Sequence, residues 1–193
     1  MLDMENLINS IRDYIHLSEE ETELTQRLFT YKFVKKGDNI LEQGKICKSL
    51  FFVSSGLLRQ YINHNGKELT IHFNEEKTFA CDFDSFISQT PSKKTIEALE
   101  DTELNIISFD NLQKFYAQIN KGDCFGRLLL EKIFSSAIQH IISVYTDTAE
   151  QRYLGFLNTF KHLQQRVPQF YIASFIGVTP QSLSRIRRRI AQK

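Results

Sequence analysis

The residues best equipped for chemistry crowd the end of this chain, QFYIASFIGVTPQSLSRIRRRIAQK. Arg185 and the run Arg187-Arg188-Arg189 carry guanidinium forks that suit guanine edges and phosphate oxygens, and Gln181 carries the amide that suits adenine. A charge run is usually only a solvated helix face. The residues around this one decide otherwise: a small Ala173, Gly177 four positions later and the apolar Leu183 six beyond that are the spacing of two helices crossing at a tight turn.

The expected layout is a helix over 169–176, a turn at Gly177-Val178, Thr179 as N-cap, Pro180 in the first helical position, and a second helix to about Ala191. Ala173 permits the close crossing and Gly177 the positive φ of the turn, while Leu183 and Ile186 pack inward with Val178 and Ile190. Gln181, Ser182 and Arg185 are thereby turned outward on the N-terminal half of the second helix, where base edges are read in the major groove of double-stranded DNA. Thr179, Arg187, Arg188 and Arg189, with help from Ser182, are expected at phosphate, where they supply affinity and salt dependence.

Charge distribution agrees. Residues 147–193 hold 8 Lys and Arg against 2 Asp and Glu, net +6, whereas residues 1–146 hold 16 against 21, net −5. A basic tail on an acidic body is the footprint of a unit that approaches phosphate. No run approaches the length of a membrane span, and the start MLDMENLINSIRDY is acidic where a signal peptide is basic and then apolar, so no membrane partner and a cytoplasmic location are expected. Cys47, Cys81 and Cys124 are odd in number and lack CxxC spacing, which speaks against a disulfide framework, a metal cassette or any metal site; they read as buried or idle thiols. No cofactor is expected.

The elements that must position these residues follow from periodicity. Residues 1–31 read as helix, with Ser18 before Glu19, Glu20 and Glu21 as an N-cap. From Tyr31 to about 109 short apolar runs (Lys32–Lys35, Leu50–Ser54, Leu57–Asn63, Glu68–Asn74) alternate with turns at Gly37, Gly44, Gly56 and Asn65-Gly66, the pattern of an all-β roll or jelly roll. Helical spacing returns in a short helix at Leu112, Phe115 and Tyr116, then in a long one over about 123–146. Its stripe of Phe125, Leu129, Ile133, Ala137 and Ile141 fits either the protein's own core or a homodimer seam. A further helix is expected over 149–164 after a hinge at Thr146-Asp147-Thr148, with Tyr153, Leu154, Phe156, Leu157 and Phe160 inward. The fold class is thus α+β, divided as a β-roll sensor domain over 1–122, a dimerisation helix over 123–146 and a helix-turn-helix domain over 147–193.

At this level the chain resembles the Crp/Fnr superfamily of catabolite-activator-like regulators. Val34-x-x-Gly37-Asp38-x-Ile40-x-x-x-Gly44 and Leu50-Phe51-Phe52-Val53-x-x-Gly56 look like the turn-and-strand signatures of that family's sensor barrel. GVTPQSLSRI resembles its recognition helix, with Arg185 matching the family's arginine and Gln181 standing where glutamate is common. The resemblance implies a cyclic-nucleotide-binding-type β-roll, a homodimer reading a near-palindrome, transcription regulation and contact with RNA polymerase. Two departures go with it. The stretch FACDFDSFISQTPSKKTIEALED lacks the Gly-Glu pair and the arginine of the nucleotide-binding cassette; Asp82, Lys93, Lys94 and Thr95 remain as a candidate effector pocket, altered so that cyclic AMP is not the expected ligand. And the sequence stops at Lys193, just past the recognition helix, so a β-hairpin wing is expected to be missing or minimal.

Two other readings compete with a DNA-binding regulator. A cupin-type metalloenzyme needs clustered histidines, and the roll offers only His64 and His72, eight residues apart, which are equally poor as haem ligands. A stand-alone sensor acting through protein partners would leave the basic tail merely structural. No catalytic triad, phosphate-cradling glycine loop or nucleotide fingerprint supports an enzyme.

Overall fold

The computed structural model describes residues 4–192; the acidic first residues and Lys193, on which the readings of the two chain ends partly rest, lie outside the described residues. Packing divides the chain into two units. One gathers the chain up to Ile62 with His72–Glu131, and the other joins Asn63–Ile71 to the chain from Lys132 onward.

In the first unit, α1 (Glu5–Arg12) and α2 (Glu19–Leu28) precede the strands. The single helical stretch expected over 1–31 is therefore two helices, because Ser18 opens a full capping box with Glu21 and starts a new helix. Eight strands follow among the described residues: β1 (Thr30–Val34), β2 (Asn39–Leu41), β3 (Ser49–Ser55), β4 (Leu58–His64), β5 (Lys67–Asn74), β6 (Phe79–Ala80), β7 (Thr95–Ala98) and β8 (Thr102–Ser108), the end of β4 and most of β5 belonging to the second unit. They form two four-stranded sheets, ordered β1-β8-β3-β6 and β2-β7-β4-β5. The first is antiparallel throughout its described pairs, with Phe51 opposite Ile106 on one side of β3 and Ala80 on the other.

The 31–109 stretch is not all-β: α3 (Phe83–Ser88) interrupts it after Asp82. Its run FDSFIS has too few residues to show helical period in the sequence. Leu50, Phe51, Phe52 and Val53 are all buried, a continuous run because β3 is a central strand that packs against α1 as well as lining the roll. Gly56 holds a positive φ of 96°, and a side chain there would meet the Asp101 carbonyl oxygen at 2.7 Å, so the turn after β3 needs glycine twice over.

After α4 (Phe109–Gln118) comes the 25-residue α5 (Gly122–Thr146). Its first turns belong to the first unit, where the Phe125 ring meets Tyr14, Phe79 and Phe115 with centroids 5.6, 5.7 and 5.5 Å away. Phe125 and Leu129 are therefore core residues of that unit and are not available to a seam. Past Lys132 the helix changes character. Ala137 and Ile141 are exposed and Ile133 is half-buried, and Phe134, Ile138, Ile142, Val144 and Tyr145 are exposed large apolar groups around them.

The second unit continues with α6 (Ala149–Thr159), α7 (Leu163–Arg166), α8 (Gln169–Phe175) and α9 (Pro180–Ala191). The helix expected over 149–164 stops at Thr159 and resumes after a break as α7, the backbone at Phe160 having left helical geometry. Tyr153, Phe156 and Phe160 are buried as expected, but Leu154 is 40% exposed. No helix among the described residues is long and apolar enough to cross a membrane.

Candidate nucleic-acid interface

The helix-turn-helix is built from the second unit's own core. Ile172, Ala173 and Ile176 of the α8 region and Leu183 and Ile186 of α9 are all buried, and Ala173 and Leu183 have no exposed surface. The turn closes through Gly177, at φ 71°, whose N–H donates to the Ser174 carbonyl, and through Val178, whose N–H donates 2.9 Å to the Ala173 carbonyl. Thr179 caps α9, its Oγ1 accepting from the Ser182 N–H at 3.2 Å and donating to the Ser182 hydroxyl at 3.0 Å. Pro180 occupies the first helical position, where its missing N–H costs nothing.

With Leu183 and Ile186 buried, the opposite face of α9 is set. Gln181, Arg185, Arg188 and Arg189 are exposed, and Ser182 and Arg187 are half-buried. Thr148, Ala149 and Glu150 at the start of α6 join Ser182, Arg185, Ile186 and Arg189 around a groove of about 450 Å³. The groove thus sets arginines beside the N-terminus of a helix, where backbone N–H groups and the helix dipole favour an anion. One acidic group faces them: Arg189 Nη1 lies 3.4 Å from Glu150 Oε2, with Arg189 65% exposed, so the pair is loose and screened.

Two positioning residues carried no signal in the sequence reading. Arg152 on α6 donates from Nε to the Ile176 carbonyl at 2.8 Å and from Nη1 to the Asp147 carbonyl at 2.7 Å, tying the turn to the hinge. A lone arginine in an amphipathic helix looks like any solvated charge until the chain folds back. Ser174 on α8 accepts from the Thr70 N–H at 2.9 Å and donates to the Glu68 carbonyl at 3.1 Å, so the tip of the β4–β5 hairpin packs in the second unit. That tip turns at Asn65-Gly66, both at positive φ, as the dipeptide predicts. His140 stacks on Phe175 with centroids 4.7 Å apart, and burial followed by the charge of Arg152 lowers its pKa.

The candidate effector residues lie in the first unit and are largely occupied with one another. Asp82 is buried, its Oδ1 3.1 Å from Lys94 Nζ and its Oδ2 accepting 2.6 Å from the Ser92 hydroxyl. Lys94's own N–H donates to that hydroxyl. Thr95 is buried and accepts from the Gln43 N–H at 3.2 Å, while Lys93 is exposed. The fold brings Asp82 and Lys94 together and leaves Lys93 apart from them. In the neighbouring sheet Arg59, wholly buried on β4, meets Glu97 of β7 at 2.9 Å and stacks on Tyr61. Among the described residues no three His, Cys, Asp or Glu side chains are grouped so as to hold a metal.

Residues 31–119 match the cyclic nucleotide-binding domain family. No curated protein sequence matches the chain significantly. Among solved structures the chain is similar to FixK2 from Bradyrhizobium japonicum, with 16% identity over 85% of each chain and a TM-score of 0.73. It is similar to the Thermus thermophilus catabolite activator protein, with 20% identity over 95% of this chain and 87% of that one and a TM-score of 0.60. A protein from Eubacterium rectale assigned to the Crp/Fnr family of transcriptional regulators gives 23% identity over 91% and 84%, with a TM-score of 0.69. Residues 31–119 therefore form a cyclic nucleotide-binding-type domain, and the chain has the fold of the Crp/Fnr-type regulators.

Proposed function

We propose that this protein is a cytoplasmic, homodimeric transcriptional regulator that reads a near-palindromic site on double-stranded DNA through α9. The observation that carries the reading is the face of α9 opposite Leu183 and Ile186: arginines and a glutamine exposed beside a groove at the N-terminus of α6. Gln181, Ser182 and Arg185 contact base edges; Thr179, Arg187, Arg188 and Arg189 contact phosphate, Arg189 after releasing Glu150. The exposed apolar half of α5, around Ile133, Ala137 and Ile141, forms the seam with a second copy, and RNA polymerase is the downstream partner. The domain boundaries that go with this function are a sensor over 1–122, a seam helix over 123–146 and a reader over 147–193. The protein is not an enzyme.

The effector, if the roll binds one, is not a cyclic nucleotide. The ammonium best placed to hold a phosphate, that of Lys94, already neutralises the buried Asp82. A ligand acts here by binding one arrangement of the seam helices more tightly than another.

The test is selection of a duplex from a random pool, followed by titration of the selected and a scrambled duplex over a range of salt. The expected result is a two-fold symmetric selected site, preferred over the scrambled duplex, with affinity falling steeply as salt rises. Equal affinity for both duplexes would sink the reading.

A further inference from the structure

The two buried cysteines of the first unit are not idle. Cys47, in the loop before β3, and Cys81, just after β6, are 34 positions apart in sequence yet their sulfurs lie 3.7 Å apart. Both thiols are aimed at one acceptor, the Ser49 carbonyl, Cys47 at 3.4 Å and Cys81 at 3.7 Å. Each residue is also bonded into the segment that bears the candidate effector residues. The Cys47 N–H donates 2.9 Å to the Ser85 hydroxyl on α3, and Cys81 directly precedes Asp82, whose carboxylate holds Ser92 and Lys94. Among the described residues no group of three His, Cys, Asp or Glu side chains includes them, and the contact the two sulfurs make is with each other.

We propose that Cys47 and Cys81 are a modification site, a dithiol that a small hydroperoxide converts to an intramolecular disulfide. Cys47 is the attacking sulfur. The hydrogen bond from Cys81 outweighs burial and brings its pKa down to about 7, while burial, reinforced by Cys47, pushes the Cys81 thiol up. The Cys47 thiolate attacks the peroxide O–O bond, which breaks to leave Cys47 as a sulfenic acid and the other oxygen as an alcohol or water after it takes up a proton. The Cys81 sulfur then attacks the Cys47 sulfur. The S–S bond forms, the S–O bond breaks, and the hydroxyl leaves as water with the Cys81 proton. In sum, two thiols lose two electrons and two protons, and one hydroperoxide is reduced to an alcohol and water. A disulfide needs the sulfurs at ~2.05 Å, so the two side chains must close from the 3.7 Å at which they now lie.

The experiment treats the full-length, reduced protein with hydrogen peroxide, blocks remaining thiols, and maps the peptides by mass without reduction. The expected result is a Cys47–Cys81 cross-linked peptide lighter by two hydrogens, restored by dithiothreitol, with Cys124 still alkylated. Cys124→Ser leaves the cross-link intact, and Cys47→Ser or Cys81→Ser abolishes it. Should either serine variant fail to fold, the peptide map of the unsubstituted protein, with its circular dichroism unchanged during oxidation, decides alone. Reduced Cys47 and Cys81 after treatment, overoxidation of Cys47 with Cys81 still free, or cross-links through Cys124 would each overturn the proposal. None of these readouts depends on DNA, so the outcome is independent of the proposed function.

Discussion

The buried charged groups of the β-roll and the arginines of α9 are handled in opposite ways. In the roll, Arg59 faces Glu97 and Asp82 holds Ser92 and Lys94, each group buried or partly buried and met by a partner from another strand or loop. On α9, Arg185 and Arg188 stand exposed without a carboxylate partner among the described residues, and Arg189 has only a loose one. Buried charge must be matched within the chain because desolvation is costly, so the roll's ions stabilise the fold. Exposed charge left unmatched contributes little to folding and is available to an external anion. The conspicuous arginines and the hidden ones therefore do different work.

The largest test of this contrast lies in the roll. Glu97→Ala removes the carboxylate facing a wholly buried guanidinium and should cost about 3 kcal/mol of unfolding free energy, read by urea denaturation, with little change in the roll's other contacts. A loss within about 0.5 kcal/mol would mean the pair is not structural. Arg185→Ala should do the reverse. Its melting temperature should stay near that of the parent, while affinity for the selected duplex drops about 10-fold to 100-fold, a loss of ~1–3 kcal/mol, and affinity for scrambled DNA barely changes.

Arg188→Ala should weaken both duplexes alike and reduce the slope of log affinity against log salt by about 1, as expected of one lost phosphate contact. A sequence-selective loss instead would move Arg188 into the base-reading set. The smallest effect concerns pH. His140 has its folded-state pKa lowered by burial and by Arg152, so the unfolded chain takes up the proton first. Its stabilising contribution is whole above the unfolded value of about 6.5 and is lost as pH falls below it. Unfolding free energies measured on either side of that value should show the decline, and His140→Phe, which keeps the stack on Phe175, should flatten it.

Much of this was legible in one dimension. Spacing placed Ala173, Gly177, Leu183 and Ile186, and with them the outward face of α9, because a helix's period ties the buried positions to the exposed ones. Gly56 and Asn65-Gly66 announced turns that require positive φ. The errors fell where period and contact part company. α3 was too short to register, and the start of α5 reads as one continuous stripe although Phe125 is walled in by Tyr14, Phe79 and Phe115 and Ile141 is exposed.

What the sequence by itself determined, then, is the longer elements and the face that α9 turns inward, since these depend on residues a few positions apart. What only the tertiary structure decided is which distant polar groups meet. Cys47 with Cys81, Asp82 with Lys94, Arg152 with the Ile176 carbonyl and Ser174 with Thr70 are pairings across 12 to 104 positions in the chain. No local pattern encodes such pairs; they exist because closing the roll and folding α8 back on α6 bring side chains from remote segments within hydrogen-bonding reach.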